Sequence, residues 1–324
     1  MSLYNTACKN RYLKQKFMAK YDEIFDKIVT QTGEYCKKYN IKSLVLGLSG
    51  GLDSTVCAAI GKTVFDRYGI KLIGISLPCK TNSDMENSIA RTTGEAFCNE
   101  YKCINIDTLY GASKYLCDTY EGESTQISQG NLKARIRMMM LYNAASINNG
   151  IVIDTDNLTE HYLGFFTIHG DVGDFKPIGK LWKTEVYELA NYVMGLYTKK
   201  LEDMQANRAL IHENPGEFNR CQLAESTMMA AIHIKPTDGN GVTESTNGFQ
   251  PSSGDLDQIA PGYTYADVDN ALKFIVYNPT FSPNELSQFV NNEFNGDMST
   301  VNGIFKRYRN SEFKRNTKYN GVLL

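Results

Sequence analysis

Leu48-Ser49-Gly50-Gly51-Leu52-Asp53-Ser54-Thr55 joins an apolar run beginning at Ser43 to a helical pattern that extends to about residue 68. Strand, tight turn and helix follow one another with no spare residue between them. Such a turn points consecutive backbone N–H groups into one concavity, and the helix N-terminus adds partial positive charge, so a pyrophosphate fits there. Competing phosphate motifs fail on spacing. Gly61-Lys62-Thr63 ends like a Walker loop, but the first glycine of that loop would fall at Val56 and the stretch lies inside the predicted helix. Gly47, Gly50 and Gly51 do not match the dinucleotide fingerprint.

Outward from this junction the same unit recurs. The apolar run from Lys71 to Leu77 precedes a helix expected over 84–101, Lys102 to Asp107 precedes more helix, and Gly150 to Asp154 follows a helix expected over 126–148. Short apolar strands alternating with helices predict an α/β fold with a parallel sheet and helices on both faces. Ligands in such sheets sit beyond the carboxyl ends of the strands, which singles out 49–54, 78–83, the residues after 107 and 155–160. An amphipathic helix is expected over 11–39, from apolar residues recurring every three or four positions. Residues 235–262 hold five glycines and three prolines without apolar periodicity, and are expected to form a mobile, lid-like loop. The expected plan is one domain: an N-terminal helix (1–40), an α/β core (41–234), the loop (235–262) and C-terminal helices (263–324).

The bulk composition narrows the function. A net charge of −2 over 324 residues provides no field for holding a nucleic acid or an anionic membrane. No run approaches the roughly 20 apolar residues of a membrane helix. The basic first twenty residues lack the apolar block of a secretory signal, so a cytoplasmic protein is expected. Eight cysteines include no C-x-x-C pair and no zinc-spaced cluster, which favours free, mostly buried thiols.

The turn at 49–54 resembles the S-G-G-x-D-S loop of the N-type ATP pyrophosphatases, or PP-loop enzymes, which adenylate a substrate and release pyrophosphate. Further along come Asn131 to Met138, Thr155-Asp156-Asn157-Leu158-Thr159-Glu160, Gly164 to Asp171 and Pro177 to Leu189. In this order, and with the loop, they resemble the NAD synthetases. The similarity is strong over 41–197 and weaker toward the C-terminus. It implies an adenine nucleotide alpha hydrolase-like fold with helical additions at both ends, and a homodimer. It also implies amidation of deamido-NAD with ATP, through an adenylate. With no nitrilase-like glutaminase domain, free ammonia is the expected nitrogen donor.

The resemblance also assigns roles. Ser49, Gly50, Gly51, Ser54, Thr55, Arg135, Thr155 and Thr237 are expected around ATP, with Lys183 bringing a positive charge to the phosphates. Asp53 and Glu160 match the family's magnesium carboxylates, a donor set that suits a hard cation. Asp171 corresponds to an aspartate near the nicotinate, where it can draw ammonium and take its proton. Phe166 and His169 are expected to wall that pocket, with Arg137, Lys314 and Arg315 as further substrate contacts. Arg135 and Arg137, two apart on a helix, cannot share one face. Three positions depart from the family pattern: Asp154 stands where glycine is usual, the 170–174 loop is one residue short, and Phe313 replaces a common histidine. Two other readings share the loop: a different adenylating PP-loop enzyme, and an ATP-binding module without turnover.

Overall fold

The computed structural model describes residues 2–234, 260 and 263–315, with side chains from residue 17 onward. Thr237 and, apart from Ala260, the loop expected over 235–262 lie outside the described residues.

The chain begins with α1 (Ser2–Lys38) and then alternates strand and helix: β1 (Ser43–Gly47), α2 (Leu52–Tyr68), β2 (Lys71–Ser76), α3 (Asp84–Phe97) and β3 (Glu100–Cys103). Two helices, α4 (Asp107–Glu121) and α5 (Gln126–Ile147), lead to β4 (Gly150–Ile153) and the short α6 (Leu158–Leu163). Next come α7 (Lys183–Ala206), α8 (Arg208–Glu213) and α9 (Pro215–His233). The C-terminal layer is α10 (Tyr265–Tyr277), α11 (Pro283–Glu293), α12 (Met298–Asn310) and the single turn α13 (Glu312–Arg315).

The four strands are parallel, in the order β3-β2-β1-β4. Alternation along each strand divides the core, as the period of two requires. Leu44, Leu46 and Leu72 pack into the cluster under α1, α2, α3, α7 and α9, while Val45, Ile73, Ile75 and Val152 meet Ile136, Met138 and Leu141 of α5 on the opposite face. A third cluster joins Leu163, Phe165 and Trp182 to the C-terminal helices through Val268, Leu272, Phe294 and Phe305.

The fold agrees with expectation in class; α1 begins at Ser2 and not at residue 11, and two boundaries around the edge strand shift. The third strand lies at 100–103, not 102–107, and α3 stops at Phe97. Asn99 causes both changes: its side-chain oxygen and its N–H engage the Leu72 N–H and carbonyl, starting the edge strand early. Beyond Cys103 the regular strand ends, though the Ile104 and Ile106 N–H groups still donate to the Ser76 and Pro78 carbonyls, and the Asn105 side-chain oxygen accepts from the Asp107 N–H to turn the chain into α4. The cysteines in the described residues are free; Cys36, Cys57, Cys79 and Cys221 are buried, whereas Cys103 and Cys117 are exposed. No described helix is long and apolar enough to cross a membrane.

Candidate active site

Strand β1 is followed in the chain by its neighbour β2 on one side, whereas β4 arrives later on its other side. The loops leaving β1 and β4 therefore diverge, and the crevice between them is where such sheets take ligands. Asp53 enters this crevice from the first turn of α2, Asn157 and Glu160 from the start of α6, and Lys183 as the first residue of α7.

These four side chains form one connected group. The Lys183 ammonium pairs with Asp53 and lies 3.9 Å from Glu160 Oε1. Asn157 Nδ2 donates to Asp53 Oδ1 at 3.1 Å, while the Asn157 N–H donates to Glu160 Oε2 at 3.1 Å within a capping box. Burial and the Asp53 charge push the Glu160 carboxyl up to about 7. Burial pulls the Lys183 ammonium down, but Asp53 and Glu160 outweigh it and hold the lysine above its ordinary value. Two neighbouring carboxyl groups call for positive charge between them, which Lys183 supplies. Their hard oxygens suit magnesium, which commonly takes one or two carboxylates with phosphate oxygens and water. No group of three or more His, Cys, Asp or Glu among the described residues could hold a metal, so a metal here would need the nucleotide as well.

The turn before α2 depends on glycine. Gly50 has φ +83°, and a Cβ there would lie 2.1 Å from the Glu86 carbonyl oxygen, so glycine alone fits. Gly51 caps α2 without a side-chain hydrogen bond, so no capping side chain takes up the first-turn amides. The exposed Ser49 hydroxyl lies 3.1 Å from Ser54 Oγ and accepts from the Gly51 N–H. Thr55 is placed differently from the rest of the loop: its hydroxyl is fully buried, donates to the Gly51 carbonyl and meets Thr93 of α3 at 3.2 Å.

Asp154, the residue standing where glycine is usual, is buried at the end of β4 with a partner the sequence did not reveal. Lys176 Nζ lies 2.9 Å from Asp154 and 3.1 Å from Asp156. Asp154 also accepts from the Gly173 and Asp156 N–H groups, each within 2.9 Å, and so pins the 170–174 loop to β4. Thr155 sits half-buried between the two acids. Burial raises both carboxyl pKa values, and Lys176 offsets it.

A second group lines the chain between α6 and Asp171. Asp171 Oδ2 accepts from the Thr167 N–H at 2.7 Å, and burial raises this carboxyl despite that bond and the charges of Arg137 and Lys314. Two residues of α5 hold the same turn: Asn131 accepts from the Thr167 hydroxyl at 2.8 Å, and Arg135 Nε donates to the Ile168 carbonyl at 3.3 Å. His169 is exposed with φ 61°. Arg137 reaches the opposite way, into the loop after β2, where it donates to the Leu77 carbonyl at 2.9 Å and Asn82 Oδ1 at 3.1 Å. The two arginines thus serve different loops.

Phe166 is buried, stacked parallel to His161 at 6.4 Å, with Lys176 5.7 Å and Lys314 5.3 Å from its ring. Lys314 Nζ donates to the Gly164 and Phe166 carbonyls at 2.8 and 2.7 Å, and Arg315 to the Tyr162 carbonyl at 2.8 Å. These C-terminal cations fasten the 162–166 segment, while Phe313 beside them is exposed. Asn157, Lys176 and Asp269 had no role in the sequence reading. Only Asn157 left a signal there, standing three residues before Glu160 as a capping residue would.

A family model described as NAD synthase matches residues 24–205, more than half of the chain. The NH(3)-dependent NAD(+) synthetase of Methanocaldococcus jannaschii is 37% identical over 181 residues, 53% of this chain and 66% of the relative. That of Sulfurisphaera tokodaii is 35% identical over 184 residues, 56% of this chain and 63% of the relative. The chain thus spans just under two thirds of these relatives' own length. The counterpart from Carboxydothermus hydrogenoformans is 37% identical over 175 residues, 53% of this chain and 70% of the relative. Two solved structures share the fold at 24% identity: an NMN synthetase from Francisella tularensis (TM-score 0.63, 94% of this chain and 98% of that one) and an NH3-dependent NAD synthetase from Campylobacter jejuni (TM-score 0.60, 94% and 99%). With the family model matching more than half of it, the chain belongs to the NAD synthase family.

Proposed function

We propose that the protein is an ATP-dependent ligase that amidates the nicotinate carboxylate of deamido-NAD with ammonia, giving NAD, AMP and pyrophosphate. The observation that carries the reading is the convergence of Asp53, Glu160 and Lys183 beside an uncapped helix N-terminus. A carboxylate resists ammonia until it is activated, and adenylation activates it by attack on the α-phosphorus of ATP. The amides of Gly50 and Gly51 and the hydroxyls of Ser49 and Ser54 hold the departing pyrophosphate, and Lys183 meets its growing charge. Thr55 contributes by keeping the turn against α3. Asp53 and Glu160 would hold magnesium, which supplies charge neutralisation between phosphates when bound.

In the second half, ammonia replaces AMP. Asp171, a carboxyl raised by burial, takes a proton from ammonium and leaves neutral ammonia to attack. Phe166 and His169 wall the nicotinate side. Arg135 and Thr155 are assigned to ATP on family resemblance, Arg135 through the turn at Ile168 that it holds, and Arg137, Lys314 and Arg315 act on the substrates largely through the loops they hold. Thr237 is assigned to ATP on family resemblance.

The same reading carries a cytoplasmic location and a homodimer. The surface offered for a second copy is α4, which has no buried residue and leaves Tyr115, Leu116 and Tyr120 72%, 56% and 81% exposed.

Purified protein incubated with ATP, magnesium, deamido-NAD and ammonium chloride is expected to form NAD and AMP in equal amounts, with Asp53→Ala inactive. ATP binding without either product would replace this reading with a non-catalytic module. AMP formed only with another acceptor, such as the mononucleotide lacking the adenylate half, would point to a different substrate.

A further inference from the structure

Asp269 lies in α10, is fully buried, and takes no part in the group at the crevice. Its Oδ1 accepts from the Thr159 hydroxyl at 2.5 Å, and its Oδ2 accepts from the Thr184 N–H at 3.1 Å and the Thr184 hydroxyl at 2.8 Å. The Thr159 oxygen in turn accepts from the Lys183 N–H at 2.9 Å. Thr159 directly precedes Glu160, and Thr184 directly follows Lys183. One carboxylate therefore gathers the two backbone positions that carry the paired site residues.

We propose that Asp269 is a positioning residue that fixes the separation of Lys183 and Glu160 by clamping the starts of α6 and α7 together. Helix α7 needs an acceptor at this point. Its cap position is held by Trp182, whose indole has no acceptor oxygen, and the part-buried Thr184 N–H of its first turn finds its acceptor in Asp269. A carboxylate at a helix N-terminus is also favoured by the helix dipole. Burial raises this carboxyl, and the bonds from Thr159 and Thr184 oppose that shift. Tyr265, one turn earlier on α10, sets its ring 5.8 Å from the Lys183 ammonium, so the C-terminal helical layer reaches the lysine at both its backbone and its tip.

The kinetic test rests on the proposed amidation, and its controls separate the two ideas. Asp269→Asn keeps the size but loses the charge and one acceptor. It is expected to lower kcat about 10-fold or more and also to raise KM for ATP, because a misplaced charge-stabilising group is felt by the bound phosphates and more strongly in the transition state. In a Lys183→Ala background the same change is expected to cost no more than about twofold, since residues acting through one group are not additive. Equal losses in both backgrounds, or a lowered Tm with kcat unchanged, would overturn the proposal. Should Asp269→Asn fail to fold, Thr159→Val is expected to lose the rate and Thr159→Ser, which keeps the hydroxyl, to regain most of it; equal rates for the pair would overturn it too. If the wild-type chain makes no AMP, the amidation reading fails, and the clamp is tested by calorimetry of magnesium-ATP binding. Asp269→Asn should then weaken binding in the wild-type background and not in Lys183→Ala.

Discussion

The Lys183 ammonium is paired with the Asp53 carboxylate across 130 positions of the chain, within 3.9 Å of Glu160. This lysine is the one described cation held between the two carboxylates proposed to bind magnesium. Lys183→Met would leave them facing each other, which for a largely buried charge cluster costs about 3–5 kcal/mol. Thermal unfolding should show a lowered Tm, and magnesium should restore the variant more than it raises the wild type, by binding where the charge is missing. Asp53→Asn should keep the fold and lower AMP formation about 100-fold.

Lys176 neutralises two buried acids at once. Lys176→Met is expected to destabilise by about 3–5 kcal/mol, since both carboxylates lose their cation. Asp154→Gly in that background should recover part of the loss by removing one of the two charges. Chemical denaturation of the single and double variants checks this, and additive losses would show that the pair is not coupled.

Gly50→Ala places a Cβ 2.1 Å from the Glu86 carbonyl at a positive φ. Strain of this kind costs about 1–3 kcal/mol, and relieving it must move the turn. Magnesium-ATP affinity, measured by calorimetry, should fall at least about 10-fold. Ser49→Ala, which removes a hydroxyl without moving backbone, should have a smaller effect.

Burial and nearby cations push the half-buried His161 down to about 4 from an ordinary 6.5. The unfolded chain therefore binds one more proton than the folded chain between these values. Stability should rise with pH from about 4 to 6.5 through this group and stay flat above, by no more than about 3 kcal/mol. His161→Phe, which keeps a ring against Phe166, should flatten the acid side of a Tm-against-pH curve. An unchanged slope would assign the acid sensitivity to other groups.

The local sequence determined the elements and the phosphate turn, because those follow from periodicity and from what glycine allows. The runs at Ser43, Lys71 and Gly150 read as strands from apolar spacing alone, and Ser49 to Thr55 read as an anion-binding junction from its composition. Asp53, Glu160 and Lys183 were legible as candidates through their motif context. Their meeting was implied only by the family resemblance, because it depends on β4 lying beside β1 while β2 occupies the other side, a strand order that no local pattern encodes. The partners that tune the site were equally hidden: Lys176 under Asp154, and Asp269 behind Lys183, are contacts between segments 22 and 85 or more residues apart. Burial of a charge is a property of everything packed around it, so only the tertiary structure decided which acid was paired, which was raised, and which held two helices in place.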